Sequence, residues 1–159
     1  MTPNEKTLIK FYTAFNNGDV STMCDCYHPK IKFRDPIFDL LKENDVCQMW
    51  KMLIEKGKGN TKIKFSDIKA DQYIGSVRWI ATYKFSKTNR TVVNEIQAQF
   101  QFKDGLIIKH TDDFDIWKWS KQAFGIKGYL FGWTGYFQKK IHHQALLSLK
   151  KYKKTKHAN

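Results

Sequence analysis

Residues 92–112 read VVNEIQAQFQFKDGLIIKHTD, and their rhythm decides the fold. Val92, Asn94, Ile96, Ala98, Phe100 and Phe102 alternate with Val93, Glu95, Gln97, Gln99 and Gln101, so one face is apolar except at Asn94 and the other is polar except at Val93. Successive side chains leave a β-strand on opposite faces, which makes this a strand with one face on a core and one in water. Asp104-Gly105 is a two-residue hairpin signal, so the strand starting at Leu106 is an antiparallel neighbour. A period of two carried to its end places Leu106, Ile108, His110, Asp112, Phe114 and Ile116 on one face, where His110 and Asp112 interrupt an apolar stripe.

Upstream, the same period reaches back to Lys62. Ile63 and Phe65 begin a strand whose phase slips by one before Ile68 and Ala70, as a β-bulge requires, and Val77, Trp79, Ala81, Tyr83 and Phe85 form the next. Ile31, Phe33 and Asp35 alternate with Lys30, Lys32 and Arg34, giving an earlier half-buried strand that ends at Pro36. Before it, Thr2-Pro3-Asn4-Glu5 outlines a capping box for a helix with Leu8, Phe11, Tyr12 and Phe15 on one face, ended by Gly18. Asp19 caps a second helix through Met23 and Tyr27, stopped by His28-Pro29. Asn44 or Asp45 caps a third with Val46, Met49, Trp50 and Leu53 on one stripe.

Downstream, Gly125, Gly128, Gly132 and Gly135 are interleaved with aromatic residues in a turn-rich segment, followed by a helix over about Phe137 to Tyr152. The order is two helices, a strand, a helix, four antiparallel strands and a final helix. That order predicts an α+β fold: a curved antiparallel sheet packed against N-terminal helices to form a cone with an apolar pocket, plus a C-terminal helical extension. The expected division is a cone domain over 1–118, with 119–159 as an aromatic, Gly-rich segment and basic helix packed on the same domain.

A chain of 159 residues suffices for one core without metal or disulfide support. Aromatic residues at 15% favour a pocket for an apolar ligand. Neither a signal peptide nor an integral membrane segment is read, so the expectation is a soluble, cytoplasmic protein. Cys24, Cys26 and Cys47 form no CxxC pair and are expected to be buried reduced thiols. All fifteen acids lie at or before Asp115, so the first 115 residues carry about +3 of the formal +13, and ten lysines follow. A basic tail on a near-neutral domain reads first as a solvated helix end and otherwise as a contact for an acidic membrane surface, nucleic acid or a partner, with nucleic acid the unfavoured one.

Asp35 continues the inward phase of Ile31 and Phe33. A carboxylate at the rim of an apolar cavity has its charged form disfavoured, which raises its pKa and makes it a usable base; the alternative is an aspartate that caps the following turn. His110 and Asp112 share a face about 7 Å apart along the strand and are expected to flank one bound molecule. The alternatives are a satisfied buried pair or a solvated strand end. Asn94 suits orienting a water or a carbonyl. Trp50, Trp79 and Phe15 read as wall residues. No metal-ligand spacing, phosphate loop or serine nucleophile motif is found, so neither metal nor cofactor is expected.

Phe11-Tyr12-Thr13-Ala14-Phe15-Asn16-Asn17-Gly18-Asp19, Tyr27-His28-Pro29, Phe33-Arg34-Asp35-Pro36, Met49-Trp50 and Asp104-Gly105 through His110-Thr111-Asp112 together resemble the SnoaL-like branch of the nuclear transport factor 2 superfamily. That superfamily also holds ketosteroid isomerases, scytalone dehydratase and limonene epoxide hydrolase. The resemblance implies the cone fold and puts Asp35 where ketosteroid isomerases keep a general-base aspartate. It puts Asp112 where SnoaL-like cyclases carry an acid/base aspartate. Phe11 and Ala98 occupy the positions of the isomerases' two oxyanion donors, so steroid isomerisation of that kind is disfavoured. Neighbouring Tyr12 could replace Phe11 if the helix is rotated to bring it inward.

The functional expectation is a small hydrophobic ligand held in the cone, with Asp35, Asp112 and His110 as acid–base and orienting groups. Tyr12, Phe15, Trp50, Trp79, Asn94 and Phe114 are the expected ligand contacts. Isomerase, cyclase, dehydratase or hydrolase chemistry without a cofactor is the enzyme form of this reading. A non-catalytic ligand-binding or protein-interaction domain is its alternative, and a homodimer through the sheet is expected.

Overall fold

The computed structural model describes residues 1–158. Helices α1 (Pro3–Asn16) and α2 (Val20–Asp25) precede β1 (Tyr27–Asp35), β2 (Asp39–Lys42) and α3 (Asn44–Gly57). Then come β3 (Lys62–Ala70), β4 (Ile74–Lys84), β5 (Thr91–Lys103) and β6 (Leu106–Asp113), followed by α4 (Ile116–Phe124), α5 (Ile126–Phe131) and α6 (Gly135–His157). The six strands form one sheet in the order β2-β1-β6-β5-β4-β3. Only the β1–β6 pair is parallel. The sheet curves without closing around α1 and α3, and Leu149 of α6 joins the same apolar core.

Local chemistry explains most boundaries. Thr2 and Glu5 exchange the two hydrogen bonds of a capping box at the start of α1. Thr2 Oγ1 also donates to the Ala70 carbonyl and Asn4 Nδ2 to that of Asp71, which staples α1 to the β3–β4 end of the sheet. Asp19, Asp115 and Thr134 accept from N3 amides at the starts of α2, α4 and α6. Asp104 and Gly105 both take positive φ, 53° and 76°, the geometry that lets a two-residue turn match the twist of β5 and β6. The slip in β3 is present as a register shift between Ser66 and Lys69.

Several expectations need correction. Tyr27 opens β1 rather than ending α2, which stops at Asp25. Pro29 lies exposed within β1 where pairing to β6 is irregular, so its missing N–H removes no regular ladder bond. In β6 the pairing passes from Gln101↔Lys109 to Phe102↔Ile107, leaving Ile108 unpaired. Ile107 therefore points inward while Leu106 and Ile108 are half-buried. Strand β6 also stops at Asp113, so Ile116 belongs to α4.

Helix α3 begins after Glu43, with no side-chain cap from Asn44 or Asp45. The glycine-rich segment is helical, and α6 is longer at both ends than the apolar stripe suggested. Cys24 and Cys47 are half-buried and joined in a disulfide between α2 and α3, so the reduced-thiol reading holds only for buried Cys26. Burial pushes the Cys26 thiol up to about 11, which leaves it unreactive.

Candidate active site

A cavity of about 520 Å³ lies between α3, the inner face of the sheet and the C-terminal helices, within the size range of small-molecule sites. Phe15, Trp50, Trp79, Ile96, Phe114 and Trp119 supply much of its apolar wall. Asp35, Tyr83, Asn94 and Asp112 are among the polar side chains that interrupt that wall. Lys56, Lys84, Lys87, Lys127 and Lys140 also line it and are all exposed, so its rim is basic. None of the five forms a salt bridge among the described residues. Burial, and secondarily the charge of Lys87, lowers the pKa of Lys56.

Asp35 ends β1 and does two things at once. Its Oδ1 accepts from the backbone amides of Ile37, at 2.9 Å, and Phe38, at 2.6 Å, holding the turn into β2. The turn-capping alternative is thus present, but it occupies one oxygen only. Oδ2 has no hydrogen-bond partner among the described residues, and the half-buried side chain lines the cavity. Burial raises its pKa from 3.8 to about 7, opposed by the two amides and assisted by the negative charge of Asp112.

Asp112 is held from behind. Its Oδ1 accepts from Trp79 Nε1 at 3.2 Å and pairs with His110 Nε2 at 2.9 Å, and on the far side of that ring Nδ1 lies 2.8 Å from the Tyr27 hydroxyl. Tyr27 Oη in turn accepts from Trp50 Nε1 at 3.0 Å. An indole can only donate, so the proton of Tyr27 is free for His110 Nδ1 and the imidazole carries its own proton on Nε2, directed at Asp112. The relay fixes one tautomer and one orientation.

His110 is fully buried among aromatic rings, Phe100 nearest at 4.5 Å between centroids, and does not line the cavity. The expectation that His110 and Asp112 flank one molecule is therefore corrected. The 7 Å spacing along the strand is closed by the reach of the two side chains, and His110 acts through Asp112.

Asn94 is buried on β5, lines the cavity, and its amide has no partner among the described residues. Tyr83 accepts from Trp119 Nε1 at 2.8 Å, which leaves the phenolic proton without an acceptor among the described residues. Burial, with Asp35 nearby as a lesser cause, pushes Tyr83 up to about 12, so it remains a donor. Phe15, Trp50, Trp79 and Phe114 line the cavity. Tyr12 does not: it is sealed between Phe65, Trp79 and Phe100 with a buried, unpartnered hydroxyl. Helix α1 turns that ring toward β3 and β5, so it cannot replace the missing donor at Phe11.

Sequence reasoning missed Tyr27 and Tyr83. Extending the odd-numbered phase of β1 back from Ile31 would have found Tyr27, since that phase runs through Asp35. No local signal marks Tyr83 as a free donor, because its status depends on Trp119 in another element. Among the described residues no group of three or more His, Cys, Asp or Glu side chains is arranged to hold a metal ion.

The family described as a SnoaL-like domain matches residues 8–110. No curated protein sequence matches significantly. Among solved structures, Bal32a from a soil-derived mobile gene cassette superposes with a TM-score of 0.67 at 18% identity, covering 76% of this chain and 96% of that one. IdmH from Streptomyces antibioticus, described as a putative polyketide cyclase, gives 0.63 at 18% identity over 75% and 96% of the two chains. TerC, co-crystallised with polyporic acid, gives 0.62 at 13% identity over 72% and 92%. These likenesses establish the fold.

Proposed function

This chain belongs to the SnoaL-like domain family, and we propose that its cone binds a small, largely apolar molecule and acts on it by aspartate acid–base chemistry without a cofactor. One observation carries the reading: Asp35 Oδ2, the Asn94 amide and the Tyr83 proton have no partner among the described residues and belong to side chains lining one apolar cavity. Buried polar groups are ordinarily satisfied, so groups left open toward a cavity are groups kept for a ligand.

Asp35, poised near neutrality, exchanges the proton. Tyr83 donates to the oxygen that gains charge, taking the part that Phe11 and Ala98 leave vacant. Asp112, oriented by His110, and Asn94 position the substrate. The lysine rim suits a substrate whose exposed end is acidic. Isomerisation, aldol cyclisation and dehydration begin when the base removes a proton from carbon, and hydrolysis when it removes one from the attacking water. The polyketide cyclase description of a structural neighbour fits cyclisation.

The test uses 5-nitrobenzisoxazole, a small apolar molecule whose ring opens when a base removes its C–H proton. Wild type is expected to open it with a rate that rises through about pH 7, and Asp35→Asn to lose about 100-fold or more. Wild-type catalysis no better than the buffer, or an unchanged rate in Asp35→Asn, would refute the assignment. Binding of the probe without turnover would leave a non-catalytic carrier.

A homodimer across the outer sheet face, where Glu95, Gln97 and Gln99 are exposed on β5, belongs to the same proposal and is tested by native mass spectrometry. So does a cytoplasmic location. The Cys24–Cys47 disulfide weighs against that location, since disulfides are uncommon there, and rapid alkylation in fresh lysate decides between them: both cysteines trapped as thiols would support the cytoplasm, and recovery of the disulfide an oxidising compartment.

A further inference from the structure

We propose that the outward face of α5 and the turn after it dock on an anionic lipid bilayer. A helix that folds against a protein in water turns its large apolar residues inward. Helix α5 is reversed. Gly128 is buried where any Cβ would collide with the Ser120 backbone, and Gly132 is buried against the Ser120 side chain. Ile126, Tyr129, Leu130, Phe131, Trp133 and Tyr136 are instead 52–80% exposed.

Two indole contacts tie parts of this surface together. Trp117 Nε1 donates to the Tyr129 carbonyl at 3.2 Å with the two rings 6.3 Å apart, and Trp133 Nε1 donates to the Leu130 carbonyl at 3.0 Å. With both indole N–H groups already bonded, the rings offer apolar surface to whatever covers them. An exposed apolar patch this concentrated marks an interaction site.

Charge selects the occupant. From Ile116 to the end of the described chain there are ten lysines, no arginine and no acid. Lys153 and Lys156 pair with Asp45 and Glu55 of α3, while Lys118, Lys121, Lys127, Lys139 and Lys140 form no salt bridge among the described residues. A second copy would bring those lysines against their own kind. Nucleic-acid interfaces lean on the planar fork of arginine, which this segment lacks.

Tryptophan and tyrosine at headgroup depth, aliphatic residues at the acyl boundary and lysines against acidic headgroups are the elements of interfacial binding. No described helix is long and apolar enough to cross a membrane, so the contact is with the surface. Lys127 and Lys140 also line the cavity, which places its rim beside the docked face.

Cosedimentation of the full chain with vesicles tests the proposal. Vesicles with about one-third phosphatidylserine in phosphatidylcholine should bind at least about tenfold more tightly than phosphatidylcholine alone, since each lysine near such a surface contributes about fivefold. Leu130→Ser/Phe131→Ser/Trp133→Ser should lose about tenfold with an unchanged thermal melt, the three side chains being exposed. Added salt should weaken the wild type. Equal or absent binding to the two vesicle types, or full binding by the triple variant, would overturn the proposal. So would tighter binding to a polyuridine oligonucleotide, or a wild-type self-association without vesicle binding that the triple variant abolishes.

Discussion

The cone and the C-terminal arm of α4–α6 use the same materials in opposite ways. The cone buries Phe11, Phe15, Phe33 and Trp50 and keeps open carboxylate and amide groups inside, where water is scarce. Within the arm, α4 and α6 add Trp119 and Leu149 to the core, while α5 and the turn after it bury glycine and expose Tyr129, Leu130 and Trp133 beside lysines. In the cone, desolvation raises the energy of a charge until a proton can move at neutral pH. On the arm, apolar surface lies open beside lysines, to be covered by something else. Aromatic content at the level of the whole chain cannot separate these uses; burial does.

The largest effect that would break this contrast is the pH dependence of stability. A carboxyl whose folded pKa is raised holds its proton longer folded than unfolded, so the folded chain binds more protons between about pH 4 and 7. The Asp35 contribution to stability should therefore fall as pH rises through that window, by up to about 4 kcal/mol at roughly 1.4 kcal/mol per unit. Asp35→Asn, which retains the Oδ1 acceptor for Ile37 and Phe38, should melt higher than wild type at pH 8 and not at pH 4. Parallel melting curves across that range would show that Asp35 is ordinary.

Next comes the relay behind Asp112. His110→Leu removes a donor from Asp112 and the acceptor of Tyr27 inside the core, a loss of about 3 kcal/mol, or roughly 10 °C in thermal melting. Tyr27→Phe should cost less, about 1–2 kcal/mol, because it strands the Trp50 N–H and His110 Nδ1 while preserving the ring. Chemical denaturation of both variants checks the ranking.

On the arm the sharpest mutation is the smallest in size. Gly128→Ala forces α5 away from Ser120, at about 1–3 kcal/mol, readable as faster amide exchange in α5 with β4–β6 unaffected. Least of all, Tyr129→Ser on the exposed face should change stability by less than about 0.5 kcal/mol. A larger loss would mean that this face is packed rather than presented.

Strands β3 to β6 were legible because one face of each meets the core and the other water, and alternation records that directly. The four residues of β2 are too few to show a period, and Ile108 broke the phase of β6 because a bulge leaves no mark in an apolar run. Helix α5 read as loop because its glycines, poor helix formers, are there for close packing on α4, a tertiary demand.

In the site, Asp35, Asn94 and Asp112 stood out as polar residues in apolar phase. The opposite fates of His110 and Tyr83 did not, since each depends on a partner from a distant element: Tyr27 for one and Trp119 for the other. The Cys24–Cys47 pairing is equally a matter of how α2 and α3 dock.

The central claim is that the cone holds an aspartate poised to exchange a proton near neutral pH. Carbon-13 labelling of aspartate carboxyls and an NMR titration of the intact protein measure this directly. Asp35 should titrate at about 7, and Asp112→Asn should move it down, since the Asp112 charge helps to raise it. A value near 4, unaltered by that substitution, would contradict the account.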